Sequence, residues 1–202
     1  MDNYATMLDA ARQHFLEYDA ALLAARKGVT DRGEHLHTRF FAEDVLIHKH
    51  TGQVTVGGRD AGFGEGLSIY DWLCDRKPEA TAAEEFCAVS SLPGVLVGGS
   101  GLMMCAPRLA AMIDAAPEAF QQCCARLEGR PVPFGDMGFR LNIFPDLPMV
   151  LKFYFSDEEF APTLTFLWDR NSLQFVRYET VYYIAGCLER RLKRMMSGEA
   201  EG

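Results

Sequence analysis

Tyr4, Met7, Leu8, Ala11, Phe15, Tyr18 and Leu22 recur at steps of three and four, the spacing that lines up one face of an α-helix. The pattern predicts an amphipathic helix of about six turns, stopped by Gly28, with His14 beside its apolar stripe. From Arg39 to Val56 the period shortens. Val45, Leu46, Ile47 and His48 read as a strand, Thr51-Gly52-Gln53 as a turn, and Val54-Thr55-Val56 as the returning strand of a β-hairpin. A glycine-rich connection, Gly57 to Gly66, leads to Ile69, Trp72 and Leu73, which predict a short helix closed by Lys77-Pro78.

Residues Ala80 to Cys105 lack a clear period. Ser91-Leu92-Pro93-Gly94 reads as a turn, and Val95-Leu96-Val97 as a short buried strand before Gly98-Gly99-Ser100-Gly101. Leu109, Met112, Ala116, Phe120, Cys123 and Leu127 restore helical spacing, with Pro117 starting a second helix or kinking the first, and Gly129 stopping it. The last third alternates: Phe139 to Ile143, Val150 to Phe155 and Thr163 to Trp168 are β-prone. After the turn residues Asp169 to Ser172, Leu173 to Tyr178 reads as one more strand, and Val181, Ile184, Leu188, Leu192 and Met195 as a closing helix. This order is α+β rather than alternating βαβ. It implies an antiparallel sheet, built from a hairpin plus a C-terminal meander and packed by N-terminal, central and C-terminal helices. No composition shift divides the chain, so residues 1–202 read as one domain, with a flexible tail at 197–202.

Charge narrows the partners. A net charge of −8 and a pI near 5.1 repel phosphodiester backbones and anionic headgroups, which argues against nucleic-acid or membrane-surface binding. The basic cluster Arg190, Arg191, Lys193 and Arg194 falls near the end of the closing helix. There it complements the helix dipole or, alternatively, forms an anion site. None of the six cysteines has C-x-x-C spacing, and no stretch reads as a signal peptide or transmembrane helix. The expectation is a cytoplasmic protein with free thiols.

Candidate chemistry falls in four places. Asp157-Glu158-Glu159 follows a buried strand, and Pro162 speaks against its being only a helix cap; with Asp136 or Asp169 it can form a carboxylate cluster for a cation or a hydroxylated ligand. His48 and His50, two apart in an extended segment, point the same way roughly 7 Å apart, so both can approach one metal, with His35 or His37 as a further ligand. Ser100, within its glycine run, offers backbone amides to a phosphate but matches neither the dinucleotide nor the P-loop pattern. Met103, Met104, Cys105, Cys123 and Cys124 are soft donors for haem or copper, or plain core.

Together these favour binding of a small ligand or metallocofactor, a divalent metal or a tetrapyrrole being the cofactor classes open. The alternatives are a metal-dependent enzyme using His48, His50 and an acidic-segment carboxylate, or an accessory subunit that docks another protein.

Gly135-Asp136-Met137-Gly138, Phe144-Pro145-Asp146-Leu147-Pro148, Ser156-Asp157-Glu158-Glu159-Phe160 and Leu167-Trp168-Asp169 are distinctive in combination. In them the chain resembles a bacterial and archaeal family classified as a domain of unknown function, DUF3786. The resemblance covers Arg39 to Leu192, with Ser91-Leu92-Pro93-Gly94 and Leu127-Glu128-Gly129 also fitting. It implies a shared fold and no assigned chemistry. Some members look like fusions to an amino-terminal iron–sulfur domain, which implies an iron–sulfur redox partner.

Overall fold

The computed structural model describes residues 3–95 and 106–198. The first helical stretch is two helices, α1 (Asn3–Leu16) and α2 (Ala20–Ala24), not the single one that the spacing predicts. Asp19 breaks it: its backbone is extended and its Oδ1 accepts the Ala21 N–H at 2.8 Å, so it caps a new helix. The restart changes the phase of the stripe. Leu23 goes into the core, whereas Leu22 is 67% exposed.

The first sheet is a five-stranded antiparallel meander in chain order: β1 (Thr30–Arg32), β2 (His35–Phe40), β3 (Glu43–His48), β4 (Val54–Val56) and β5 (Arg59–Asp60). The expected hairpin is its β3–β4 pair, with Ile47 opposite Val54. The β1–β2 hairpin was not anticipated, because His35, His37 and Arg39 mask a strand that buries only Leu36, Thr38 and Phe40. Phe41 and Ala42 join β2 to β3 with φ of 47° and 67°, a conformation that costs a side-chain-bearing residue energy. Burial holds it: Phe41 is in the core and its N–H donates to the Ile143 carbonyl at 2.9 Å, tying the first sheet to the second.

α3 (Phe63–Cys74) is buried on nearly every side, as expected of an apolar central helix. After β6 (Phe86–Cys87), Pro107 and Pro117 stand at the starts of α4 (Pro107–Ala115) and α5 (Pro117–Arg126), where the missing N–H costs nothing. Four further strands follow: β7 (Arg130–Pro131), β8 (Met137–Phe144), β9 (Leu147–Tyr154) and β10 (Thr163–Asp169). With β6 they form a second antiparallel sheet, ordered β6-β10-β9-β8-β7. Leu164, Phe166 and Trp168 face its core with Phe153, as their alternation predicts.

The expected strand Leu173 to Tyr178 does not form. Ser172–Gln174 is a 3₁₀ turn, Phe175 and Val176 drop into the core, and the 20-residue α6 (Tyr178–Ser197) begins at once. β10 pairs instead with β6, whose two residues carry almost no periodic signal. The fold is therefore α+β, with two five-stranded antiparallel sheets and six α-helices among the described residues. α6 packs against α3, α4 and α5, and α1 lies across α3.

Candidate functional site

The acidic segment is an exposed turn. Asp157 Oδ1 accepts the N–H groups of Glu159 and Phe160 at 2.8 and 2.7 Å, and the Asp157 N–H donates to the Phe160 carbonyl at 3.0 Å. The carboxylate thus closes its own loop, a usual task for Asp in turns. Asp136 accepts the Phe155 N–H at 3.0 Å and borders a cavity of about 470 Å³ with Gln121, Met137 and Gly129. Glu158 and Glu159 lie exposed on the same loop, and Asp169 sits at the far end of the antiparallel β9–β10 pair.

His48 and His50 lie with ring centres 6.0 Å apart, and His35 meets His48 edge-on at 5.1 Å. The His48 Nδ1 faces the N–H groups of His50 and Thr51 at 3.3 and 3.2 Å, so that nitrogen orders the β3–β4 turn. His37 is held by Asp44 at 2.8 Å. These histidines belong to the first sheet and the acidic segment to the second. Among the described residues, no group of three or more His, Cys, Asp or Glu side chains is arranged to hold a metal. Ser100, its glycine run, Leu96, Val97, Met103, Met104 and Cys105 lie outside the described residues.

A different constellation has the features of a site. Between α1, α3 and the start of α6 lies a cavity of about 570 Å³, with apolar walls from Met7 and Leu67 and polar groups from His14, Asp71, Asp75, Arg177 and Glu179. Asp71 is its foundation. It is only 2% exposed, and its two oxygens accept the Arg177 N–H and Nε, each at 2.8 Å. It thereby caps α6 from another helix, a favourable place for a carboxylate. Burial pushes the Asp71 carboxyl above its ordinary range, against the Thr180 hydroxyl and Arg177, which pull it down. Asp75, one turn on, is bridged by Arg177 Nη2 at 2.8 Å and by His14 Nε2 at 3.2 Å. A charged group in a cleft, with an ionisation perturbed by burial and by a specific partner, makes this cavity the candidate site.

Sequence reasoning noticed His14 but not Asp71, Asp75, Arg177 or Glu179. They come from helices about a hundred residues apart in the chain: Asp71 and Arg177 are separated by 106 positions. One clue was present. Asp71 interrupts the apolar run Ile69-Tyr70-Asp71-Trp72-Leu73, and a carboxylate on a fully buried helix requires a partner.

The thiols carry no comparable signal. The five described cysteines are free; burial pushes Cys74 up to about 12 and Cys187 up to about 11, and raises Cys124 as well. Such thiols are almost wholly protonated at neutral pH and unreactive. In the native protein, Cys74, Cys124 and Cys187 should resist iodoacetamide, and denaturation without reductant should release six titratable thiols. A mass deficit of two protons on intact-mass analysis would contradict this.

The distinctive sequence motifs mostly have architectural roles. Gly135 has φ +68°, and a Cβ there would lie 2.4 Å from the Phe153 carbonyl oxygen, so no other residue fits. Asp146 forms a buried ion pair with Arg76 at 2.6 Å, Ser156 donates to Asp114 at 2.7 Å, and Asp169 accepts the N–H groups of Ala83, Glu84 and Asn171. Residues that hold backbone in place define a fold class, here a two-sheet α+β domain with a helix-walled polar cavity. The particular family follows from comparison: residues 19–191 match the model for a domain of unknown function, DUF3786, and the chain belongs to that family. The match begins some twenty residues before the motifs suggested and leaves α1 outside it. No curated protein and no solved structure matches the chain.

Proposed function

We propose that the protein binds a small amine-bearing molecule in the cavity between α1, α3 and α6. One observation carries the reading: three carboxylates, Asp71, Asp75 and Glu179, face this cavity with a single guanidinium, Arg177, which is already committed to Asp71 and Asp75. Three carboxylates against that guanidinium give the walls a surplus of acidic groups beside apolar surface. An ammonium group satisfies that surplus next to Asp75 and Glu179, with Tyr183 lining the same cavity. Met7 and Leu67 receive the hydrocarbon part, the usual division of labour in a small-molecule site.

Ligand-observed NMR with tyramine and its N-acetyl derivative tests the reading. Tyramine should bind and the neutral amide should not. Asp75→Asn and Glu179→Gln should each weaken tyramine by roughly 2- to 5-fold, the scale of a partly exposed charge pair. Equal binding of the two compounds would sink the amine assignment.

A further inference from the structure

The groove does not end at the amine cavity. Tyr183 also borders a second, open cavity of about 420 Å³, lined by Tyr4, Phe63, Tyr182 and Arg190 with Gly64 and Gly186. The rings form a wall, with Phe63 edge-on to Tyr4 at 4.8 Å and to Tyr183 at 5.4 Å. The floor at Gly64 and Gly186 carries no side chain. A Cβ on Gly64 would lie 3.0 Å from Cys187 Sγ and 3.6 Å from Arg190 Nη2, and one on Gly186 would lie 3.4 Å from Arg190 Nη1. The Arg190 guanidinium thus lies over the two positions where side chains are missing.

The fold also sorts the basic cluster near the end of α6. Arg191 is buried, paired with Glu43 and donating to the Phe41 carbonyl, and Lys193 pairs with Glu189. Arg190 is left exposed, donating to Cys187 Sγ at 3.4 Å, and among the described residues no carboxylate lies within ion-pairing distance of it. In a chain of net charge −8, a guanidinium without a carboxylate beside an aromatic wall is suited to an incoming anion. Its planar fork matches a carboxylate in two parallel hydrogen bonds.

The two cavities share Tyr183 and the same three helices, with opposite charge at their far ends. We infer that they are one bipolar groove for a peptide-sized zwitterion. Its ammonium sits by Asp75 and Glu179, its carboxylate on Arg190, and an apolar or aromatic body lies against Tyr183 and Phe63. The inference rests on the amine reading above and adds the other end of the ligand. Glu179 and Arg190 are eleven residues apart on α6, about 16 Å along its axis, which an extended chain of about five residues spans.

The test uses the full chain and the pentapeptide Ala-Ala-Tyr-Ala-Ala with free termini, with an acetylated N-terminus, and with an amidated C-terminus, titrated calorimetrically. The free peptide should bind best, and each blocking group should weaken it severalfold. Arg190→Gln should erase the preference for acid over amide while keeping the preference for free amine over acetyl; Asp75→Asn should do the converse. Arg190 is exposed, so its variant should keep the wild-type melting temperature. An Arg190→Gln protein that still prefers the acid overturns the inference, as does failure of all three peptides where tyramine binds; the second result leaves the amine site standing. Indifference to acetylation together with a retained Arg190-dependent acid preference removes the amine end instead.

Discussion

Asp146→Asn should lower the stability of the folded protein by about 3–5 kcal/mol, the typical cost of breaking a buried ion pair from one side. The side chains of Arg76 and Asp146 are 5% and 3% exposed, and their contact is 2.6 Å. The Asp146 carboxylate also accepts the Trp72 Nε1–H at 3.2 Å, while Arg76 donates to the Lys27 carbonyl and lies over the Trp72 and Phe175 rings. Trp72 in turn stacks on Phe144 at 4.5 Å. Asparagine keeps an acceptor for the indole but leaves the guanidinium buried without its counter-charge. Removing both charges with apolar residues of similar volume, Arg76→Met with Asp146→Leu, should cost less than the single change, because no lone ion is then left in the core. Urea unfolding at unchanged m-value separates the cases. A single variant within about 1 kcal/mol of wild type would show the pair to be solvated in solution.

Trp168→Ala should cost a similar amount, about 3–5 kcal/mol, through lost burial and the cavity left behind. Trp168 is fully buried on β10, on the same face as Leu164 and Phe166. Its Nε1–H is buried without a hydrogen-bond partner among the described residues. That detail gives the experiment its control. Trp168→Phe removes an unsatisfied donor along with some volume, and the two effects oppose each other, so it should cost less than half as much as alanine. Equal losses for Phe and Ala would mean that the indole N–H has a partner in solution. A denaturation midpoint unmoved by alanine would take Trp168 out of the core.

The Asp146 ion pair shows where sequence reading reaches its limit. Phe144-Pro145-Asp146-Leu147-Pro148 stands out in the sequence as a motif of the family, and the structure makes it the turn between β8 and β9. That its carboxylate reaches Arg76, 70 positions earlier, is not. The candidate site repeats the lesson. Asp157-Glu158-Glu159 drew attention because three carboxylates are adjacent, yet adjacency along a loop is enough to make a solvated turn. Asp71 and Asp75 are single residues on one helix, and they gain their meaning from Arg177 on another.

The sequence by itself determined the class of fold, the β3–β4 hairpin, the β8–β10 meander and the core face of β10, because strand and helix periods are properties of near neighbours. It also determined the family, through glycines and aspartates that only a particular backbone requires. The tertiary structure alone decided the rest. It turned Leu173 to Tyr178 into a turn and a helix start, and paired β10 with the two-residue β6. It also brought His14, Asp75 and Arg177 together around one cavity. Each of those outcomes depends on contacts between residues far apart in the chain, whose free energies outweigh local preference and leave no periodic mark on it.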